Sequence, residues 1–236
     1  MRFYRRLRPF KAISFDLDDT LYDNQPVIEQ AEREFLQYLT VLAPKSKALG
    51  PDFWHQHRHQ CLADNPDLSH DVSALRIACI ELGMTSLGYQ DAKARANQAF
   101  AHFLSHRNQV QVADSVKSLL ARLAKTYPLV AISNGNVSID KIGLKEYFSH
   151  CFFAGNGNLQ KPARHMFHQT CEVLAIEPKQ LLHIGDCTHA DIYGALGAGC
   201  QTIWVNNPRF AIQKKPLKLL PSAEFDSVEQ LQIFVR

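Results

Sequence analysis

The sequence predicts an α/β fold, a Rossmann-like parallel sheet with helices on both faces, carrying an all-helical insertion after its first strand. Three observations predict it. Short apolar runs end abruptly at polar or glycine-containing turns, helical patterns separate most of those runs, and the stretch between Thr20 and Val110 contains no such run. Continuous apolarity over four or five residues suits strands covered on both faces, as in a parallel sheet.

The first strand is Ala12-Ile13-Ser14-Phe15, followed at once by the acidic turn of Asp16, Asp18 and Asp19. After Thr20, Val27, Ile28, Ala31, Phe35, Leu39 and Leu42 form a helical stripe. Pro26 falls in its first turn, where a missing N–H does no harm. Further helical stretches surround residues 54–62, 72–82 and 91–104, separated by Pro51, Pro66 and Gly83. From residue 110 onward, runs at 129–132, 181–184 and 202–205, with 151–154 a weaker one, supply the remaining strands. Val116, Leu119, Leu120 and Leu123 recur at helical spacing, with Asp114 or Ser115 expected as the N-cap. Residues 164–175 and 190–198 supply two more helices. Alternating strands and helices are the pattern of a doubly wound sheet. The expected division is 1–20 and 109–236 for the sheet-bearing core and 21–108 for the insertion.

The chain has 236 residues, 46% hydrophobic and 21% charged, with ample material for a core. A net charge of +3 does not point to nucleic acid. The basic residues Arg2, Arg5, Arg6, Arg8 and Lys11, and later Lys214, Lys215 and Lys218, are read as solvated positions. The acidic turn interrupts any signal-peptide h-region, and no segment approaches the ~20 apolar residues that span a bilayer. Six cysteines without paired spacing suit free thiols in a reducing compartment. A cytoplasmic monomer that binds neither nucleic acid nor membrane is expected.

Ligands of an open α/β sheet bind beyond the carboxyl ends of its strands. Four polar groups fall there: Asp16, Asp18, Asp19 and Thr20; Ser133, Asn134, Gly135 and Asn136; Gly185, Asp186 and Asp191; and Lys161-Pro162 before a helix. Asp16 and Asp18, two apart, share one face of an extended segment. Carboxylates gathered near Asp186 repel one another unless a cation lies among them, and Mg²⁺, a hard ion taking oxygen ligands, suits the place. Lys161, with the Ser133 hydroxyl and nearby backbone N–H groups, could hold phosphate oxygens. The whole suits a phosphoryl group in transit. Asp16 is assigned as nucleophile, and Asp18 as the acid/base that protonates the leaving alkoxide.

The segments "DLDDT", "SNG", "KP" and "GDCTHADIYGA", in that order, resemble the four motifs of the haloacid dehalogenase-like hydrolase superfamily. The resemblance implies a phosphatase acting on a small phosphate ester, with nucleophile Asp16, acid/base Asp18 and phosphate-binding Ser133 and Lys161, joined by Thr20 and Asn134. It implies a Mg²⁺ site from Asp16, the Asp18 carbonyl and Asp186, with Asp191 supporting either the metal or Lys161 from behind. It also makes the helical insertion a cap. Cys187 departs from the Asp or Ser expected after Asp186, at a position expected to lie beside the metal site without binding the metal. The opening "MRFYRRLRPFKAISFDLDDTLYDN", the "HDV" with Arg76, and "YPLVAISNGN" resemble the superfamily's bacterial phosphatases of flavin mononucleotide and 5-amino-6-(5-phospho-D-ribitylamino)uracil. That likeness runs over nearly the whole chain and makes His70 and Arg76 candidates for substrate specificity. The alternatives are a broad sugar or nucleotide phosphatase, a mutase, a haloacid dehalogenase and a non-catalytic binding protein.

Other features have plainer readings. His55, His57, His59 and Cys61 share too little of one helical face to be a metal site and are read as a solvated face. Asp71 is either a helix cap or a substrate contact. Phe53, Trp54 and Tyr22 are read as core aromatics.

Overall fold

Every residue of Ala12–Phe15 (β2) is buried, and successive side chains go to opposite faces. Ile13 and Phe15 join one apolar cluster and Ala12 another, and the same alternation recurs in Leu129–Ser133 (β3) and Leu181–Gly185 (β5). Two-sided burial is the reason these strands read as unbroken apolar runs. Each fully buried Ile or Phe contributes roughly 1.5–3 kcal/mol of transfer free energy.

The computed structural model describes residues 1–210 and 216–235, so Lys214 and Lys215 of the basic group lie outside the described residues. The remaining strands are β1 (Arg2–Phe3), β4 (His150–Phe153), β6 (Gln201–Val205) and β7 (Ala223–Phe225). The sheet order is β1-β7-β6-β5-β2-β3-β4, parallel throughout except for the β1–β7 pair. From β2 the chain runs outward to β3 and β4, then returns to β5 on the other side of β2. The carboxyl ends of β2 and β5 therefore flank the point where strand order reverses, the usual ligand position in such sheets.

Among the helices, α1 is Gln25–Leu42, α2 Gly50–Asp64, α3 Val72–Ser86 and α4 Ala92–Arg107, while α5 (Asp114–Leu123), α6 (His165–Val173) and α7 (Gly194–Gly197) flank the sheet. Three details differ from expectation. The N-cap of α5 is Ala113, without a side-chain bond, and Asp114 sits inside the first turn, where a negative charge favours the helix dipole. The helix expected over 190–198 opens as a π-turn, Thr188–Tyr193, before α7. Gly83 lies inside α3 and does not end it; the Trp54 ring packs against it, and a Cβ there would come within 2.5 Å of that ring. Asp71 is a cap, accepting from the N–H groups of Ser73 and Ala74.

The chain forms two compact units, Met1–Gln25 with Val110–Arg236, and Pro26–Gln109. The first boundary falls after Gln25, not Thr20, since Leu21 and Tyr22 are buried with Phe15 and Leu17 in the sheet's apolar cluster. The second unit is helical, and Phe35, Leu39, Met84, Ala96, Ala99 and Phe103 belong to its main core. All six cysteines are free. No helix among the described residues is long and apolar enough to cross a membrane.

Candidate active site

The turn after β2 reverses within four residues because Asp19 adopts a left-handed conformation (φ 58°), which Asp tolerates better than most side chains. Its Oδ1 accepts the Asn24 N–H at 2.9 Å, closing the turn. The reversal returns Thr20 toward β5, where its hydroxyl donates to Asp186 Oδ1 at 3.0 Å. Thr20, expected to bind phosphate, thus holds a carboxylate. Tyr22 completes the loop by donating its hydroxyl to Asp18 Oδ1 at 2.6 Å.

Lys161 is the centre of the arrangement. Its ammonium is buried and donates to Asp16 Oδ1 (2.7 Å), Asp191 Oδ1 (2.6 Å) and the Ile132 carbonyl (2.7 Å), accounting for all three of its protons. Asn134 fixes the backbone beneath it: its Oδ1 accepts the Lys161 N–H at 2.7 Å, and its Nδ2 donates to the Lys161 carbonyl at 2.9 Å. Asn134, expected on the phosphate, therefore positions Lys161. Ser133, the buried last residue of β3, accepts the Gly135 N–H at 3.1 Å, which shapes the loop after the strand.

Asp191 is fully buried and occupied on both oxygens, Oδ1 by Lys161 and Oδ2 by the Cys187 N–H at 2.9 Å. Of its two proposed partners, the metal and Lys161, the geometry gives it Lys161. The Asp191 side chain lies so close to Gly185 that a Cβ there would overlap it. The Cys187 thiol turns to accept the Ala190 N–H at 3.3 Å, capping the π-turn.

Two polar residues behind the site escaped the sequence reading. His183, inside the apolar run of β5, meets Asp191 Oδ1 through Nε2 (3.2 Å) and Ser14 Oγ through Nδ1 (2.9 Å). Burial lowers its pKa, the Asp191 hydrogen bond opposing. A neutral ring that donates Nε2–H to Asp191 must accept at Nδ1, so Ser14 donates. Trp204 Nε1 donates to the Asp186 carbonyl at 2.7 Å. A histidine and a serine facing the same side of adjacent apolar strands were the available signal.

Electrostatics divide the three carboxylates. Burial would raise Asp191, but Lys161 and His183 outweigh it and hold its carboxyl well below the usual range. Asp186 is pushed up to about 7, by burial first and the Asp191 charge second. Burial also raises Asp16, with the neighbouring carboxylates adding to it and Lys161 only partly opposing. Lys161 itself is raised, since Asp16 and Asp191 outweigh the effect of its burial. Oxygens of Asp16, Asp186 and Asp191 lie within 4.8 Å of one another. One ammonium cannot balance three such charges, and the hard-oxygen donor set fits a divalent cation. With Asp191 bonded to Lys161 and to the Cys187 N–H, Asp16 and Asp186 are the side chains that could hold one.

The remaining predicted residues lie in the helical unit. His70 ends the 3₁₀ turn Pro66–His70. The Arg76 guanidinium is bidentate to Glu32 (3.1 and 2.5 Å) and stands 3.9 Å over the Phe103 ring. It also lines a cavity of about 570 Å³ with Trp54, His55 and Arg58.

A parallel sheet whose reversal point carries an Asp–Lys–Asp cluster defines a class, and the chain belongs to the haloacid dehalogenase-like hydrolase family, whose pattern matches residues 10–199. It is a hydrolase. Among its relatives is 5-amino-6-(5-phospho-D-ribitylamino)uracil phosphatase YigB of Escherichia coli (strain K12), 35% identical over 98% of each chain. N-acylneuraminate-9-phosphatase of Mus musculus is 27% identical over 83% of this chain and 82% of its own. Among solved structures, a 2-haloacid dehalogenase from Pseudomonas syringae pv. Tomato DC3000 superimposes with a TM-score of 0.88 at 33% identity, covering 95% of this chain and 97% of the other.

Proposed function

We propose that this chain is a Mg²⁺-dependent phosphatase that hydrolyses a small phosphate monoester through an Asp16 phosphoenzyme. The observation that carries the reading is Lys161 bonded to both Asp16 and Asp191, within a group of carboxylates that burial leaves short of positive charge. The phosphatase names of the two relatives given above support it. Mg²⁺, held by Asp16, the Asp18 carbonyl and Asp186, supplies counter-charge to the carboxylates and to the phosphoryl oxygens.

Lys161 engages Asp16 Oδ1, and we assign Oδ2 the attack on phosphorus. As the Asp16–phosphorus bond forms, the bond from phosphorus to the ester oxygen breaks, and Asp18 gives its proton to the departing alkoxide. Tyr22 holds the Asp18 carboxyl in place for that transfer. In the second half, Asp18 takes a proton from water as the water oxygen displaces Asp16, releasing phosphate and restoring both carboxyls. In this reading the Ser133 hydroxyl and backbone N–H groups of the loop after β3 bind phosphoryl oxygens.

The substrate we propose is flavin mononucleotide or 5-amino-6-(5-phospho-D-ribitylamino)uracil, on the strength of the relative 35% identical over 98% of each chain. The dehalogenase named for the superimposed structure offers a second reaction at the same nucleophile. Halide departs without a proton, so Asp18 with its Tyr22 hydrogen bond would have no task in it, which favours phosphate ester. Phosphate release should be measured from an aryl phosphate and a metabolite panel including both flavin-pathway esters, with Mg²⁺ and with EDTA, alongside halide release from a 2-haloacid. Asp16→Asn should lower phosphate release by on the order of 10⁴-fold or more while circular dichroism is unchanged. Phosphate release surviving in that variant, or halide release alone in the native chain, defeats the reading.

A further inference from the structure

The helical unit brings together a second set of ligand atoms, unlike the first. Glu34 lies on α1, and His102 and His106 lie on α4. One carboxylate oxygen and one nitrogen from each imidazole all lie within 4.8 Å of one another. His102 and His106, four residues apart, stand one turn above each other on one helical face, with ring centroids 4.8 Å apart. Among the described residues the other such group is the Asp16, Asp186 and Asp191 cluster of the core.

Neighbours one helical turn away aim these side chains. Gln30 Nε2 donates to Glu34 Oε1 at 2.6 Å, orienting the carboxylate. Tyr38, one turn after Glu34, stacks on His102 at 4.1 Å and 18°, fixing the plane of that ring. The Tyr38 hydroxyl accepts from Gln98 Nε2 at 2.7 Å, one turn before His102. Residues 30, 34 and 38 of α1 thus face 98, 102 and 106 of α4 in antiparallel register. All three candidate ligands are half-buried, so the place is reachable from solvent yet partly screened.

We propose that Glu34, His102 and His106 form a binding site for a divalent transition-metal ion of the Zn²⁺ class, joining the first and last helices of the helical unit. Two imidazoles and a carboxylate are a donor set that Zn²⁺ takes and that Mg²⁺, which prefers oxygen, does not. A tetrahedral ion with bonds of ~2.1 Å sets its donors roughly 3.4 Å apart, so modest side-chain rotation closes the cluster. Three protein ligands leave the fourth position to water. Gln30 on the carboxylate is the outer support that metal-binding side chains need. A solvated polar helix face is the plain alternative, and it explains the similar His55 and His59 pair on α2, which belongs to no group of three donors among the described residues. Because residue 34 and residues 102–106 sit near opposite ends of the unit's sequence, an ion there favours its folded form.

The test uses the tag-free full chain, stripped with EDTA and held in excess Mg²⁺. Zn²⁺ is titrated by calorimetry, and Co²⁺ by the visible absorption of its tetrahedral form. One ion should bind per chain and raise Tm. His106→Ala and Glu34→Gln should each weaken binding about 10–100-fold and abolish the Tm rise. Asp186→Asn should leave both readouts unchanged. Glu34→Gln keeps the shape of the site and carries the test if His106→Ala perturbs the helices. No saturable binding, equal binding in Glu34→Gln, loss of binding in Asp186→Asn, or a thiolate charge-transfer band with Co²⁺ overturns the proposal.

Discussion

The two units each gather charged or metal-ligating side chains from distant parts of the chain, and they do so at different depths of burial. In the core, Asp16, Lys161, Asp186 and Asp191 are at most 8% exposed and gather beyond the carboxyl ends of central strands, Asp191 from the π-turn. In the helical unit, Glu34, His102 and His106 are half-buried and project from the faces of two helices. A buried charge must be compensated within the protein, whereas water screens a half-exposed one. In the core cluster Lys161 is accordingly bonded to Asp16 and Asp191, with Asp186 held by Thr20, and the helical cluster is held through its neighbours. Removing one member of the core cluster therefore strands a buried charge, whereas removing one member of the helical cluster leaves groups that water can reach.

Breaking that contrast is most direct at Lys161. Lys161→Met removes the cation between Asp16 and Asp191 while keeping the stem volume, and leaves two buried carboxylates without it. Removal of one partner from a buried ion pair destabilises by about 3–5 kcal/mol. A drop of that size in chemical denaturation of the metal-free chain, with phosphate release lost, is expected. His106→Ala, in the half-exposed cluster, should shift the metal-free midpoint far less. Equal shifts for the two variants would erase the distinction drawn from burial.

Acid sensitivity sharpens the same comparison. Asp186 titrates at about 7 in the folded chain, raised first by burial and then by Asp191, whereas an unfolded carboxyl titrates near ~3.9. Between about pH 4 and about pH 7 the folded chain holds the extra proton, so this group's contribution to stability is full at the acid end and is lost as pH rises. Tm measured in EDTA should show this contribution as a fall through that window. Asp186→Asn should remove it, and Mg²⁺ should counter it by stabilising the ionised form. An identical pH profile for the native chain and Asp186→Asn would contradict the raised pKa.

Legibility in the sequence followed burial too. β2, β3, β5 and β6 could be read because both of their faces are covered and each reads as an apolar run. β1 and β7, of two and three residues, are too short to show a period, and β1 is exposed. The carboxylates and Lys161 could be placed together because a parallel sheet brings its strand ends to one rim. What Thr20 and Asn134 bond to could not be read, because it depends on contacts with Asp186 and with Lys161, formed only after the sheet assembles. Helical periodicity likewise marks single faces, and Glu34 meets His102 and His106 only once α1 and α4 pair.

A third test makes one substitution, glycine to alanine, in each unit. At Gly185 the added methyl would overlap the Asp191 side chain, displacing the carboxylate that holds Lys161. Gly185→Ala should therefore lower phosphate release by at least about tenfold, with destabilisation of roughly 1–3 kcal/mol from overpacking. A fully active Gly185→Ala chain would mean that Asp191 does not position Lys161.

At Gly83 the smallest effect is expected, because two terms oppose. Alanine in a helix interior is favoured over glycine by about 1 kcal/mol. The new Cβ, however, would come within 2.5 Å of the Trp54 ring and 3.2 Å of the Phe53 ring, and the crowding costs about 1–3 kcal/mol. Net destabilisation of up to about 2 kcal/mol should appear in denaturation, with kcat on an aryl phosphate unchanged, since neither ring belongs to the core site. Stabilisation by Gly83→Ala would show that Trp54 moves aside easily, so that close helix packing is not what requires glycine there.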